Sequence, residues 1–276
     1  MITPVPLESI DGDSPLLNPS LRKKFMSAVG CLTWLVNTGR PDVAYAHSRV
    51  AQHMAKPNES AWRCVVRIYS YLKGSKKWCL GKPLDSNPID LNQSSIINSH
   101  HGDELWRCYT DTDYGGNKEE QNNLRSQNGI IITENSAAVY WGSKVSSVCF
   151  AHPKIGEAHP DCSSGAVETF GAGNATYDCL HVSYSSEEMG IRFDTPFDLL
   201  MDNTAAEVFA KNSAFKSRMK HIDARQRWVK VLRDRNIVTP KHIDTKLNIA
   251  DIFTKIFTKG EFERLRALCM VRMPDH

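Results

Sequence analysis

The chain has 276 residues, 41% of them hydrophobic and 24% charged, with a net charge of +3. That composition is ordinary for a soluble globular protein of one large domain, or of a domain plus a substantial extra segment, and no apolar run reaches the ~18 residues of a membrane span. The start, MITPVPLESIDGDSPLL, lacks the basic and apolar regions of a secretory signal, and the eight cysteines form no C-x-x-C. Together these lead us to expect no zinc ribbon and no secretory leader, reduced thiols, and an intracellular protein, cytoplasmic or nuclear.

Residues 1–20 hold four prolines and no periodicity, which predicts an extended lead-in. From Asn18 the pattern turns helical, with Phe25, Val29, Leu32 and Leu35/Val36 at three- and four-residue steps. Gly39-Arg40-Pro41-Asp42 reads as a stop and restart, and Val43, Ala46, Val50 and Met54 continue a second helix. Pro57-Asn58-Glu59-Ser60 breaks that helix, and Ser60 is placed to cap a third one running to Leu72. The stretch from Ser60 to Pro83 carries Arg63, Arg67, Lys73, Lys76, Lys77 and Lys82 and no acid, interleaved with Trp62, Tyr69, Tyr71 and Trp78. Such a mixture suits a surface lying along phosphates, with aromatic faces for stacking. It equally describes a solvated helix face whose aromatics belong to the core, and composition by itself favours that plainer reading. Residues 1–95 hold 12 Lys/Arg against 7 Asp/Glu, so the positive charge is concentrated in this half.

Residues 83–104 are polar and rich in Asn, Ser and His, as a linker or long loop would be. The period then changes. Leu105 to Thr110 reads as a strand ending in Asp111, and Gly129 to Ile132 and Ala138 to Trp141 as two more, with a turn at Glu134-Asn135-Ser136. Residues 142–162 look irregular. Residues 163–178 form a weak helix in this reading, because Gly165, Gly171 and Gly173 each cost about 1 kcal/mol there. Phe197 to Met201 is a fourth strand, followed by Asp202. Short and long helices are expected over Thr204–Lys211 and Lys220–Arg233, a fifth strand over Ile237–Ile243, and a last helix over Asn248–Lys255. The order predicts an α/β fold with helices on a mixed sheet.

Strands one and four each end on a carboxylate, Asp111 and Asp202. Adjacent strand ends are a rigid place to hold ligands for hard divalent ions, which take carboxylate oxygen in preference to sulfur or imidazole. Taken singly, acids at such places are far more often caps or solvated groups than catalysts.

Several segments in order resemble the C-terminal third of a copia-type retrotransposon Pol polyprotein. They are VGCLTWLVNTGRPDVAYA, WRCVVRIYSYLKGSKKWCL, YTDTDYGG, LRSQNGIII, YWGSK, CSSGAVETFGA, MDNTAA, SRMKHIDARQRWV and NIADIFTK. The resemblance implies a helical thumb- or connection-like segment over 1–82, a linker over 83–104, a ribonuclease H-like domain over 105–260 and a C-terminal tail over 261–276. It implies a ribonuclease H-like mixed five-stranded sheet flanked by helices, preceded by the small helical segment. The roles it carries over are four metal-holding catalytic acids: Asp111, Glu168 on a helix, Asp202, and Asp251 in the last helix. Asp113 is a rival for Asp111, and Asp244 for Asp251. The implied cofactor is a pair of Mg²⁺ or Mn²⁺ ions. The implied partners are an RNA–DNA hybrid, tracked by Arg63, Arg67, Lys73, Lys76 and Lys77, and the remainder of a retroelement Pol. Lys220-His221-Ile222-Asp223 matches a family signature to which we assign a structural role.

The departures from the family pattern concern the Ser-Ser-Gly-Ala-Val-Glu-Thr-Phe helix motif, the long stretch Phe150–Asp161, and Tyr114 in place of the family's usual Trp. No Tyr-x-Asp-Asp is present, so polymerase activity is not expected of this chain. Two alternatives stand beside the nuclease: an inactive remnant that binds nucleic acid or has no activity, and a nuclease of the same fold acting on DNA.

Overall fold

A computed structural model of the chain describes residues 3–6, 10–81, 106–113, 125–149, 164–193, 195–202 and 223–274. The linker expected over 83–104, the helix expected over Thr204–Lys211 and residues Lys220 to Ile222 lie outside the described residues.

The first helix, α1, covers Pro19–Thr38. Asn18 caps it by accepting the Leu21 N–H at 2.9 Å, and Pro19 stands at the first helical position, where no backbone donor is needed. Phe25, Val29, Leu32 and Val36 are its buried stripe, as the period required. After a 3₁₀ turn over Pro41–Val43 comes α2, Ala44–Ala51, and then α3, Glu59–Gly74. Asn58, not Ser60, caps α3: its side chain accepts the Ala61 N–H at 2.8 Å. Ser60 is buried in the first turn, and its hydroxyl accepts the Asp11 N–H instead. Strand β1 is the pair Trp78–Cys79.

The large sheet is built from β2 (Trp106–Asp113), β3 (Arg125–Glu134), β4 (Ala137–Cys149), β5 (Phe197–Met201) and β6 (Val238–His242). The strand order is β4-β3-β2-β5-β6. β2, β3 and β4 pair antiparallel, while β5 and β6 run parallel to β2. Asn135 and Ser136 both have positive φ, which gives the β3–β4 hairpin a two-residue turn whose twist matches its strands. β4 runs to Cys149, well past the strand read as ending at Trp141, because pairing with the long β3 continues through Val145 to Cys149. Helix α4 spans Ser164–Glu188, longer than its glycines suggested. Helix α5 covers Asp223–Asp234, and α6 covers Lys259–Cys269 with a capping box between Thr258 and Glu261. Strand β7, Val271–Arg272, pairs antiparallel with β1. No described helix is long and apolar enough to cross a membrane.

Both faces of the sheet are covered, and its side chains alternate between them. Trp106, Cys108, Ile130, Ile132 and Leu199 face a core shared with Ala172, Ala175 and Cys179 of α4 and Val229 and Leu232 of α5. One residue along, Tyr109, Ile131 and Leu200 face the other way. They join a core that contains Phe25, Leu32, Val43 and Ile68 of the helical unit and Phe262 and Leu265 of α6. Polar ties cross the same boundary. The Trp141 indole donates to the Val36 carbonyl at 2.8 Å, and the Gln127 amide donates to the Ser48 hydroxyl at 3.1 Å.

Candidate metal centre

β2 and β5 are parallel neighbours with Tyr109 opposite Leu200. Two residues further on, each strand carries an acid on the same side, Asp111 and Asp202. The third acid comes from the segment after β6. Asp251 lies in a 3₁₀ turn over Ile249–Phe253, not in the helix expected over Asn248–Lys255. Asn248 explains the difference. Its Oδ1 accepts the Ala250 N–H at 3.2 Å and starts a tight turn, while its Nδ2 donates to the Thr110 carbonyl at 3.2 Å and pins that turn to β2. Gly129, opposite Asp111 in the ladder, makes this approach possible. A Cβ there would lie 2.7 Å from the Ala250 carbonyl and 2.9 Å from Cβ of Phe253.

Carboxylate oxygens of Asp111, Asp202 and Asp251 lie within 4.8 Å of one another. The Asp111 and Asp251 side chains are 4% and 6% exposed. Two groups missed by the sequence reading hold them. The Thr254 hydroxyl donates to Asp111 Oδ2. The Lys255 ammonium sits 3.3 Å from Asp111 Oδ1 and 3.0 Å from Asp251 Oδ1. The sequence did carry one signal: Asp251 and Lys255 stand at an i,i+4 spacing in which opposite charges pair.

Burial disfavours the charged form of both aspartates. It raises the pKa of Asp111, against the pull of Lys255 and the Thr254 hydroxyl. Asp251 is pushed up to about 7, by burial first and then by the Asp111 charge, with Lys255 opposing. Burial works against the Lys255 ammonium as well, but the two carboxylates outweigh it and hold its pKa above the ordinary value. Anionic oxygens crowded at this cost are the donor set of a hard divalent cation, which binds carboxylates at about 2.0–2.6 Å. On that chemistry the residues fit a divalent cation.

The other candidate residues are placed as follows. Glu168 is half-buried in the early part of α4 and is not among the described acids whose oxygens converge. It stands one turn before Gly171, where α4 touches β2: a Cβ on Gly171 would sit 2.0 Å from the Thr112 hydroxyl. The glycine that weakens the helix by propensity thus permits the contact. Asp113 is outside the converging set, and Asp244 caps the turn Thr245–Leu247 by accepting the Lys246 N–H at 2.8 Å. Arg63, Lys73, Lys76 and Lys77 are exposed. Arg67 is half-buried, and its guanidinium donates to the Thr3 carbonyl and hydroxyl at 3.0 and 3.2 Å. Of the interleaved aromatics, Tyr71 is buried and Trp62 and Trp78 pack on the core, leaving Tyr69 exposed.

A mixed sheet in this order, with carboxylates at the adjacent ends of its two central strands, is a ribonuclease H-like α/β architecture. The resemblance read from the motifs holds over almost the whole chain, which is similar to copia-type retrotransposon Pol polyproteins. It is 26% identical over 244 residues to the retrovirus-related Pol polyprotein from transposon TNT 1-94 of Nicotiana tabacum, covering 88% of this chain and 16% of that protein. It is 25% identical over 274 residues to the Pol polyprotein from transposon RE1 of Arabidopsis thaliana, covering 99% and 16%. The chain therefore spans about a sixth of the length of the curated relatives it matches. No protein-family model matches it. Among solved structures, a ribonuclease H1 isolated from compost aligns at 16% identity with a TM-score of 0.38, covering 54% of this chain and 92% of that one. At that score the fold class rests on the strand order itself.

Proposed function

We propose that this chain is the ribonuclease H part of a retroelement Pol and that it hydrolyses the RNA strand of RNA–DNA hybrids. The observation that carries the reading is the convergence of Asp111, Asp202 and Asp251 at the adjacent ends of β2 and β5, in a chain similar to Pol polyproteins throughout. Glu168 is proposed as the fourth ligand on the family resemblance, from the helix whose Gly171 meets Thr112 of β2. Two bound Mg²⁺ or Mn²⁺ ions would supply activation of water and neutralisation of charge at the scissile phosphate. The chain's own residues do the rest. Asp111, central and nearly dry, is fixed by the Thr254 hydroxyl, so its oxygens need little reorganisation. Asp202 is half-buried, at the open side of the set. The exposed Arg63, Lys73, Lys76 and Lys77 are proposed to meet backbone phosphates, with a hybrid recognised by shape and 2′-hydroxyls rather than by base sequence. An intracellular location and a partner in the remainder of Pol belong to the same proposal.

The test is cleavage of a labelled hybrid by the purified chain. Cutting is expected with Mg²⁺ and none with EDTA, and Asp111→Asn is expected to bind hybrid without cutting it. Wild-type cutting by Asp111→Asn would overturn the site assignment. A second reading, a folded remnant without activity, is favoured by one observation: Glu168 stands outside the converging oxygens. It predicts no cleavage of hybrid under any metal condition.

A further inference from the structure

We propose that Lys255 is a resident counter-ion of the metal centre, occupying the space between Asp111 and Asp251 when no metal is bound and leaving it when a divalent ion enters. This rests on the metal-site reading above and concerns one residue's work there.

The geometry is that of a substitute cation. Lys255 Nζ is 3.3 Å from Asp111 Oδ1 and 3.0 Å from Asp251 Oδ1, so one ammonium bridges two carboxylates on different elements, the turn after β6 and strand β2. Those carboxylates are 4% and 6% exposed, and two such anions side by side without a cation would repel each other in a poorly solvated space. The lysine side chain is 34% exposed, so its route to solvent is open. Its four-carbon stem lets the ammonium swing away while the backbone stays fixed. A divalent ion held by the same oxygens would stand against an ammonium already at hydrogen-bond distance from them, and two cations so close in a poorly solvated space repel, so they compete for the site. Thr254 differs in kind. It is neutral, donates to the other oxygen of Asp111, and can stay when metal binds.

Two opposed consequences follow, and no simple scaffolding role produces both. Without metal, Lys255 keeps the acids assembled, so removing it should destabilise the protein. With metal, Lys255 is a competitor, so removing it should tighten binding. The experiment uses the full 276-residue chain and reads metal binding and thermal unfolding, independently of cleavage. Lys255→Met is expected to lower Tm in EDTA, to show a larger Mg²⁺-induced rise in Tm than wild type, and to bind Mg²⁺ about tenfold more tightly by calorimetry, the order of one charge-assisted hydrogen bond. Lys255→Arg keeps the charge and grips carboxylates with a planar fork, so it should hold the metal-free Tm and weaken Mg²⁺ binding. This variant keeps the proposal testable if Lys255→Met does not fold. Equal loss of Tm with and without Mg²⁺ in Lys255→Met, or Mg²⁺ affinity unchanged in both variants, overturns the counter-ion role while the metal site stands. Absence of any Mg²⁺-dependent Tm shift or binding heat in the wild-type chain overturns the metal site itself, and the counter-ion role with it.

Discussion

Tyr71 links the buried charges of Asp42 and Arg266 to the half-buried Arg40. Its hydroxyl donates to Asp42 and accepts from Arg266 Nη1 at 2.8 Å, and Asp42 also takes Arg40 Nε and Nη2 at 2.9 and 2.8 Å. Burial and then the Asp42 charge push the phenol well above its ordinary pKa, so it remains a donor at every working pH. The Arg266 guanidinium also lies 3.9 Å from the centre of the Trp78 ring. One hydroxyl thereby couples the turn at Asp42, helix α3 and helix α6. Tyr71→Phe leaves the ring in place and removes both bonds, so Asp42 and Arg266 each lose one of their hydrogen bonds. We expect a loss of about 1–3 kcal/mol in urea unfolding, the usual cost of a buried polar group left unsatisfied. A change within about 0.5 kcal/mol would show that the network is stabilised without this hydroxyl.

The turn Ile249–Phe253 is the element on which the site depends most, and it is held by how closely it approaches β3. Gly129→Ala would place a methyl 2.8 Å from Cγ2 of Thr254 and 2.7 Å from the Ala250 carbonyl, which cannot give way without shifting the backbone that carries Asp251. The expected result is a loss of about 1–3 kcal/mol in stability together with weaker Mg²⁺ binding, measured by calorimetry. Unchanged metal affinity would mean that the turn yields without carrying its carboxylate along. Much of this element was illegible in the sequence. Asp111 and Asp202 could be read directly, because an apolar run ending in an acid marks a strand end. Asp251 was found by resemblance and put in a helix, since the eight residues from Asn248 to Lys255 suit a helix as well as a 3₁₀ turn. What decides between them is the bond from Asn248 to Thr110, 138 residues away. Lys255 and Thr254 were missed for the same reason: their partner, Asp111, is remote in sequence. Strands β1 and β7 are two residues each, too short to show any period. The stripe of α1, by contrast, was visible residue by residue, because helix burial follows local spacing.

At the scale of the molecule, the helical unit and the sheet share one core. The sheet face carrying Tyr109, Ile131 and Leu200 is buried against Phe25, Leu32, Ile68 and their neighbours, and α6 packs into the same cluster. A shortened chain beginning at residue 105 would leave that face in water. At about 25 cal/mol per Å² of apolar surface, several large side chains lose more than a marginally stable fold can spare. We expect such a chain to aggregate or to bind a hydrophobic dye without a sharp thermal transition. A cooperative transition close to that of the full chain would show that the sheet with α4 and α5 stands alone.

The small ribbon of β1 and β7 sets an order of events during synthesis. Trp78 pairs with Arg272, and the Met273 N–H bonds the Lys77 carbonyl at 2.8 Å, so the helical unit is synthesised before its partners and waits for residues made almost 200 positions later. Until Phe262, Leu265 and Met270 emerge from the ribosome, the nascent helical unit presents an open apolar side, and closure of so long a loop is slow. The protein is therefore most vulnerable to self-association and to chaperone capture while it is being made.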